Sequence, residues 1–251
     1  MTVSHSDSLA AGAGPGDEIS GNKKSGEEIA GNKLSGNQIS GTDVLGGAGW
    51  ARRLRMRLAD TAGSSSARDT GDHILNPDLG PYAKWNGPPR DAAVLIGILD
   101  REGVPNVVLT QRTGHLTSHA GQVAFPGGKI DPTDAGPVAA ALREADEEIG
   151  LAPDRVEPLG HLAPYLTGSG YRVVPVVGAI SSGVDFRANP DEVEDVFEVP
   201  LAFLMDPANH QKLSREWQGR QRYFYAMPFG GRYIWGVTAG IIRSLYETVY
   251  R

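Results

Sequence analysis

The chain contains no cysteine among its 251 residues. Disulfides, thiolate metal sites and cysteine nucleophiles are therefore excluded. Long apolar runs are missing as well: no stretch approaches the roughly 18–20 residues that a membrane helix needs. The first sixteen residues, Met1 to Gly16, lack a basic start followed by an apolar core, so no secretory signal is read there and a cytoplasmic location is the expectation. An excess of positive charge is also absent. The 24 Lys and Arg residues against 30 Asp and Glu leave a formal net charge of −6. That balance argues against general nucleic-acid binding, which rests on basic neutralisation of phosphates; a local basic cleft stays open.

Glycine is abundant, and it is patterned. It recurs every five residues at Gly16, Gly21, Gly26, Gly31, Gly36, Gly41 and Gly46, with Ile19, Lys24, Ile29, Leu34, Ile39 and Val44 between. This is a true short repeat, partly resembling the pentapeptide-repeat pattern. One aliphatic side chain per five residues buries little surface against a backbone ordering cost of about 1–2 kcal/mol per residue. Residues 1–47 are therefore expected to form a disordered tail. Residues 48–90 read as a basic helix, beginning with Trp50–Leu58 (WARRLRMRL), and a linker that is rich in Ser, Gly and Ala from Thr61 to Thr70. The helix is expected to pack on the domain, with anion or membrane-surface contact as the other reading.

From Asp91 the texture changes to that of a folded domain, 91–251. Ala92–Leu99 (AAVLIGIL) is an apolar run of strand length, and Val104–Thr110 follows after a turn-like Asp100–Gly103. The pair predicts a hairpin. Ala135–Ile149 has helical spacing, Tyr171–Ile180 is a valine-rich strand, a short helix starts near Pro200, and Trp235–Tyr250 closes the chain as an amphipathic helix. Strands and helices mix without regular βαβ alternation, which predicts an α/β (α+β) fold with a mixed sheet and helices packed on it.

The helix over 135–149 carries the chemistry. Pro137 suits its first turn and Gly150 its stop. At 100° per residue, Val138, Leu142, Ala145 and Ile149 form one apolar stripe, while Glu144, Glu147 and Glu148 fall within about 100° of one another on another face. Such a face is either solvated or built for a hard cation, since Mg²⁺ and Mn²⁺ prefer carboxylate oxygen and commonly bridge to phosphates. The preceding Phe125-Pro126-Gly127-Gly128 places a rigid turn and two glycines before it, and glycine lets a backbone approach a ligand closely.

The run from Gly127 to Leu151, GGKIDPTDAGPVAAALREADEEIGL, resembles the Nudix box. Arg143-Glu144-Ala145-Asp146-Glu147-Glu148-Ile149-Gly150-Leu151 matches its second half throughout. In the first half Asp134 replaces the usual Glu, and the stretch to Arg143 is one residue longer than the general pattern, a departure similar to that of the coenzyme A diphosphatase branch. Leu109–Thr113 and His119–Gly128 resemble that branch's coenzyme A signature. Thr113 stands where the signature has Ser or Ala, and Thr117 where it has Arg. Thr167–Val177, Asn189–Leu201 and Ile234–Ile241 look like the same branch, so the resemblance runs from about Asp91 to the C-terminus.

The resemblance implies an α/β/α sandwich and a metal-dependent hydrolase of a nucleoside diphosphate-linked substrate, foremost coenzyme A or its derivatives. Mg²⁺ or Mn²⁺ would be held by Glu144 and Glu148, with Glu147 sharing ligation or acting as base. Arg143 would orient the glutamates, and Glu147, Glu148 and Arg143 make up the implied catalytic set. Arg112, His119, Phe125, Gly127 and Gly128 are the implied substrate-binding residues; the other readings are a strand-end surface charge for Arg112 and a satisfied loop carbonyl for His119. Glu192 and Glu194, in the loop before a helix, are spare base candidates or a solvated pair. Two alternatives stay open: a Nudix hydrolase of ADP-ribose or NADH, which Thr117 favours, and a non-catalytic Nudix-fold regulatory or binding module, which the repeat tail favours. The retained glutamates speak against the second. No membrane span is expected.

Overall fold

The computed structural model describes residues 49–62, 69–79, 87–114, 120–217 and 219–250. The glycine repeat, His119 and Thr117 lie outside the described residues. The chain order begins with helix α1 (Trp50–Ala62), a short strand β1 (Thr70–Gly71) and one turn of helix, α2 (Asp72–Leu75). Strands β2 (Arg90–Arg101), β3 (Val104–Arg112), β4 (Val123–Ala124) and β5 (Gly127–Lys129) lead into helix α3 (Pro137–Ile149). Then come β6 (Val156–His161), β7 (Tyr165–Leu166), β8 (Tyr171–Ile180) and β9 (Val193–Pro200), with a turn of helix, α4 (Leu201–Leu204). Strands β10 (Gln211–Trp217), β11 (Arg220–Phe229) and β12 (Arg232–Trp235) precede the last helix, α5 (Val237–Tyr250).

The long strand β2 organises the main sheet. It runs parallel to β8 over its whole length, from Arg90↔Tyr171 to Leu99↔Ile180. Its other edge is shared: the first half pairs with β5 through Ala92–Val94, and the second half pairs with β3 through Ile98–Arg101. The order is β1-β7-β8-β2-β3-β4, with β6 on β8 and β9 on β3, so the sheet is mixed. The turn between β2 and β3 puts both Glu102 and Gly103 at positive φ, as a two-residue hairpin turn requires. A side-chain oxygen of Asp100 accepts from the Gly103 N–H at 2.6 Å.

Both faces of β2 are covered, which is why its sequence reads as an unbroken apolar run rather than an alternation. Ala93, Leu95 and Leu99 join Ala140, Ala141, Ala145 and Ile149 of α3 in one core. Ala92, Ile96 and Ile98 face the opposite core, shared with Trp50, Leu54 and Leu58 of α1 and with Ile241, Ile242 and Leu245 of α5. The result is the α/β/α sandwich. The basic stretch of α1 keeps its arginines outward and gives the core one apolar side.

Three local readings are corrected. The last helix starts at Val237, not Trp235, because Gly236 adopts φ +63° and Trp235 pairs in β12. Thr61 and Ala62 complete α1 rather than opening a linker. The segment at Glu192 and Glu194 leads into strand β9, since its apolar residues pair with β3. A second sheet, β10-β11-β12, is antiparallel. Gly230 and Gly231, both at positive φ, turn its second hairpin. Among the described residues no helix is long and apolar enough to cross a membrane.

Residues 70–76 tie these pieces together. β1 runs parallel to β7. The Asn76 side chain donates to the Tyr223 carbonyl at 2.9 Å and accepts from the Tyr223 N–H at 2.7 Å, as a paired strand would. The buried Tyr165 hydroxyl donates to Asp72 at 2.7 Å, and a Cβ added at Gly240 of α5 would collide with that ring and hydroxyl. Alanine in a helix interior normally gains about 1 kcal/mol over glycine. Here Gly240→Ala is expected to lose about 1–3 kcal/mol through overpacking. Urea unfolding checks this, and a gain in stability would show that α5 does not need the close approach.

Candidate functional site: an acidic helix beside a cationic cleft

Helix α3 is stopped as its sequence suggests. Gly150 adopts φ +65°, and its N–H caps back onto the carbonyls of Ala145 and Asp146. The helix lies flat on the sheet because the positions beneath it are alanines. This shifts the buried stripe from the expected one: Ala140, Ala141, Ala145 and Ile149 are buried, while Val138 and Leu142 are only half-buried. The same rotation separates the three glutamates. Glu148 is buried at 3% exposure, the Glu144 side chain is 17% exposed and that of Glu147 is 57% exposed.

Each glutamate has its own partner. Glu148 accepts from the Gly127 N–H at 3.2 Å and lies 3.7 Å from the Arg112 guanidinium. Arg112 thus faces the site and is not a strand-end surface charge. The carboxylate of Glu144 occupies the space where a side chain at Gly128 would begin; a Cβ there would lie 2.5 Å from it. Gly127 is equally constrained, because it adopts φ +152° and a Cβ would strike the Ala93 carbonyl. The two glycines therefore let the β5 backbone meet the acidic helix.

Arg143 holds the rest. Its guanidinium donates from Nε and Nη2 to the two oxygens of Asp134 at 3.1 and 3.0 Å, and from Nη2 to the Lys129 carbonyl at 3.1 Å. Its Nη1 donates to Glu144 at 3.0 Å and to Glu147 at 3.1 Å. The forked, charge-assisted pair with Asp134 keeps that carboxyl below the usual carboxylate range and raises the guanidinium further. Asp134, where the box usually has Glu, is thereby seen to anchor the arginine.

The unshared burial falls on Glu148. Desolvation, opposed by the Gly127 N–H and by Arg112, pushes its carboxyl up to about 7, with the charges of Glu192 and Glu144 adding to the rise. Glu144 is also raised, first by burial and then, against Arg143, by Glu147 and Glu192. The charge of Glu192 therefore reaches both carboxyls. The backbone explains why: Asn189 donates to the Glu148 carbonyl at 2.8 Å, and Glu192 donates to the Asn189 carbonyl at 3.1 Å. Glu194 lies exposed on β9.

The donor set fits a hard divalent cation in its chemistry: all oxygen, partly desolvated and mutually repelling, a repulsion of about 3 kcal/mol per pair at 5–6 Å and an effective dielectric of 20 that a cation reverses. As the side chains stand, no group of three among the described residues is arranged to hold a metal ion, because Glu147 is turned onto Arg143.

Next to the acidic helix opens a cleft of about 510 Å³. Arg112, Phe125, Gly127, Gly128 and Lys129 line it on the main sheet, and Arg215, Arg222, Phe224 and Trp235 line it on the second. The second-sheet residues, with Asp72, were missed in the sequence. Their signal was there: QKLSREW and RQRYFYAMPF flank Gln218-Gly219 as two strands flank a two-residue turn.

The chain is similar in sequence to known proteins. The NUDIX domain family model matches residues 88–220. The Nudix hydrolase NudL of Escherichia coli, itself described as uncharacterized, is 47% identical over 156 residues, which is 62% of this chain and 81% of the relative. Among solved structures, the Ap4A hydrolase of C. elegans in a binary complex is 20% identical and covers 45% of this chain and 80% of its own at a TM-score of 0.38. A protein of Deinococcus radiodurans is 16% identical and covers 62% and 83% at 0.42. At these TM-scores the family rests on the two sequence matches. The chain belongs to the Nudix family, as a Nudix hydrolase that cleaves a diphosphate linkage.

Removing the buried charge tests the electrostatics. A carboxyl that titrates near 7 when folded and near 4.5 when unfolded costs the metal-free fold nothing below pH 4.5. The cost grows as pH rises to about 7 and then stays near 3 kcal/mol. Glu148→Gln should therefore raise the melting temperature in chelator by several degrees at pH 8 and by little at pH 4.5. Equal shifts at the two pH values would show that Glu148 ionises freely.

Proposed function

We propose that this Nudix hydrolase cleaves the diphosphate of coenzyme A or its derivatives, giving 4′-phosphopantetheine and adenosine 3′,5′-bisphosphate. The observation that carries the reading is the cleft: it starts at Gly127 and Gly128 beside the acidic helix and continues to a second sheet with cationic and aromatic side chains. A substrate with a diphosphate in the middle, a nucleoside on one side and a long arm on the other suits that shape. The motif residues Leu109–Thr113 and His119–Gly128 support the same substrate.

In this reading Glu144 and Glu148 hold Mg²⁺ or Mn²⁺, which would neutralise the diphosphate and acidify a water molecule. Glu147 would share the ligation or serve as base. Glu192 is the other base candidate, supported by its electrostatic reach to both Glu144 and Glu148. Arg112 faces the diphosphate, and Gly127 and Gly128 let the chain approach it. Phe125, buried on the cleft wall, offers an apolar surface to the substrate. A second reading, hydrolysis of ADP-ribose or NADH, rests on Thr117 in place of the signature's Arg.

The test is a metal-dependent assay with coenzyme A, products resolved by mass. Release of the two named products is expected, and Glu148→Gln should lower the turnover number by about 10² or more at saturating metal, as loss of a group acting at the reacting centre does. Cleavage of ADP-ribose or NADH but not coenzyme A would select the second reading. Full activity of the glutamine variant would sink the metal assignment.

A further inference from the structure

The second sheet places two arginines directly opposite one another. Arg215 of β10 is the register partner of Arg222 of β11, and both line the cleft. Residues opposed in this way share a face of the sheet, with Cβ atoms about 4.5–5.5 Å apart, where like charges are destabilising. The chain nonetheless keeps them there, and it spends structure on holding them. Asp72 accepts from Arg222 at 2.6 Å and is itself fixed by the Tyr165 hydroxyl. Arg215 lies over the Trp235 ring at 5.4 Å, and among the described residues no carboxylate lies within ion-pair distance of it.

The surroundings add to this. In a chain of net charge −6, the described residues of the cleft lining include Arg112, Lys129, Arg215 and Arg222 against one carboxylate, Asp72. Two of these cations stand on the main sheet next to the glutamates, and two on the second sheet. Phe224 and Trp235 sit beside the second pair, edge to face at 5.6 Å. One end of the cleft is therefore equipped for the reacting diphosphate, and the other for a further anion next to a flat ring.

We infer that Arg215 and Arg222 form a second anion subsite, which takes a phosphate monoester on the ribose of the substrate's nucleotide, with the base against Phe224 and Trp235. Asp72 is a positioning residue: it aims Arg222 and leaves the wall with net positive charge. Arginine suits the role because its planar donors match phosphate oxygens in pairs. The inference deepens the coenzyme A reading and rests on it for the nature of the substrate. It assigns specificity to Arg215, within the family-matched span of 88–220, and to Asp72, Arg222, Phe224 and Trp235, which lie outside it.

Calorimetric binding to the full chain tests it without turnover. Adenosine 3′,5′-bisphosphate and adenosine 5′-monophosphate differ only in the 3′-phosphate. The wild type is expected to bind the bisphosphate at least tenfold more tightly. Arg215→Ala, at an exposed strand position, should bring that ratio to within about threefold, and Arg222→Gln should do the same, with circular dichroism reporting its fold. Should Arg222→Gln fail to fold, Arg215→Ala decides alone. Equal affinity of the wild type for both nucleotides, or a ratio that Arg215→Ala leaves unchanged, overturns the subsite. Preference for the bisphosphate in a protein that does not cleave coenzyme A would remove the substrate assignment and keep the subsite; cleavage of coenzyme A without the preference would do the reverse.

Discussion

The guanidinium of Arg143 sits where three demands meet. It closes the loop between β5 and α3 through Asp134 and the Lys129 carbonyl, and it takes up the charge of Glu144 and Glu147 on the helix itself. Without such a counter-charge, carboxylates within one turn would repel one another across a partly dry space. With it, the helix holds its acidic face against the sheet, and the remaining charge is concentrated on Glu148. That carboxylate has a single backbone donor and a distant arginine, too little to offset its burial. The site is thus poised for positive charge, and the tension sits at the residue deepest in it.

Around that centre the fold separates scaffold from recognition. Strand β2, covered on both faces, positions β5 and its two glycines against α3. This half is common to the family. The other half of the cleft comes from a three-stranded sheet that begins inside the family-matched region and runs beyond it, and Asn76 and Asp72 lock it to a segment that precedes that region. The acidic helix and the arginine-bearing wall of the cleft are built on different pieces of chain.

Much of this was legible beforehand. Ala92–Leu99 announced a strand, and Pro137 with Gly150 bracketed the acidic helix almost to the residue. Arg112, Phe125, Gly127 and Gly128 do lie at the cleft. The apolar stripe of α3 was less well read, because hydrophobic spacing favours large side chains, whereas close packing on a sheet selected Ala140 and Ala141. The three glutamates looked equivalent on a helical wheel. Only the face that the helix turns to the sheet makes Glu148 buried and Glu147 exposed.

The sequence alone determined what depends on neighbours along the chain: the helix with its stops, the hairpin with its turn, the glycines before the carboxylates, and through the box the family. The tertiary structure decided what depends on residues far apart meeting. Asp72 and Arg222 are 150 positions apart, and Asn76 and Tyr223 are 147 apart. Contacts of that kind leave no periodic trace. They arise from which strands pair and how closely helices pack, and those are settled when the whole core is buried.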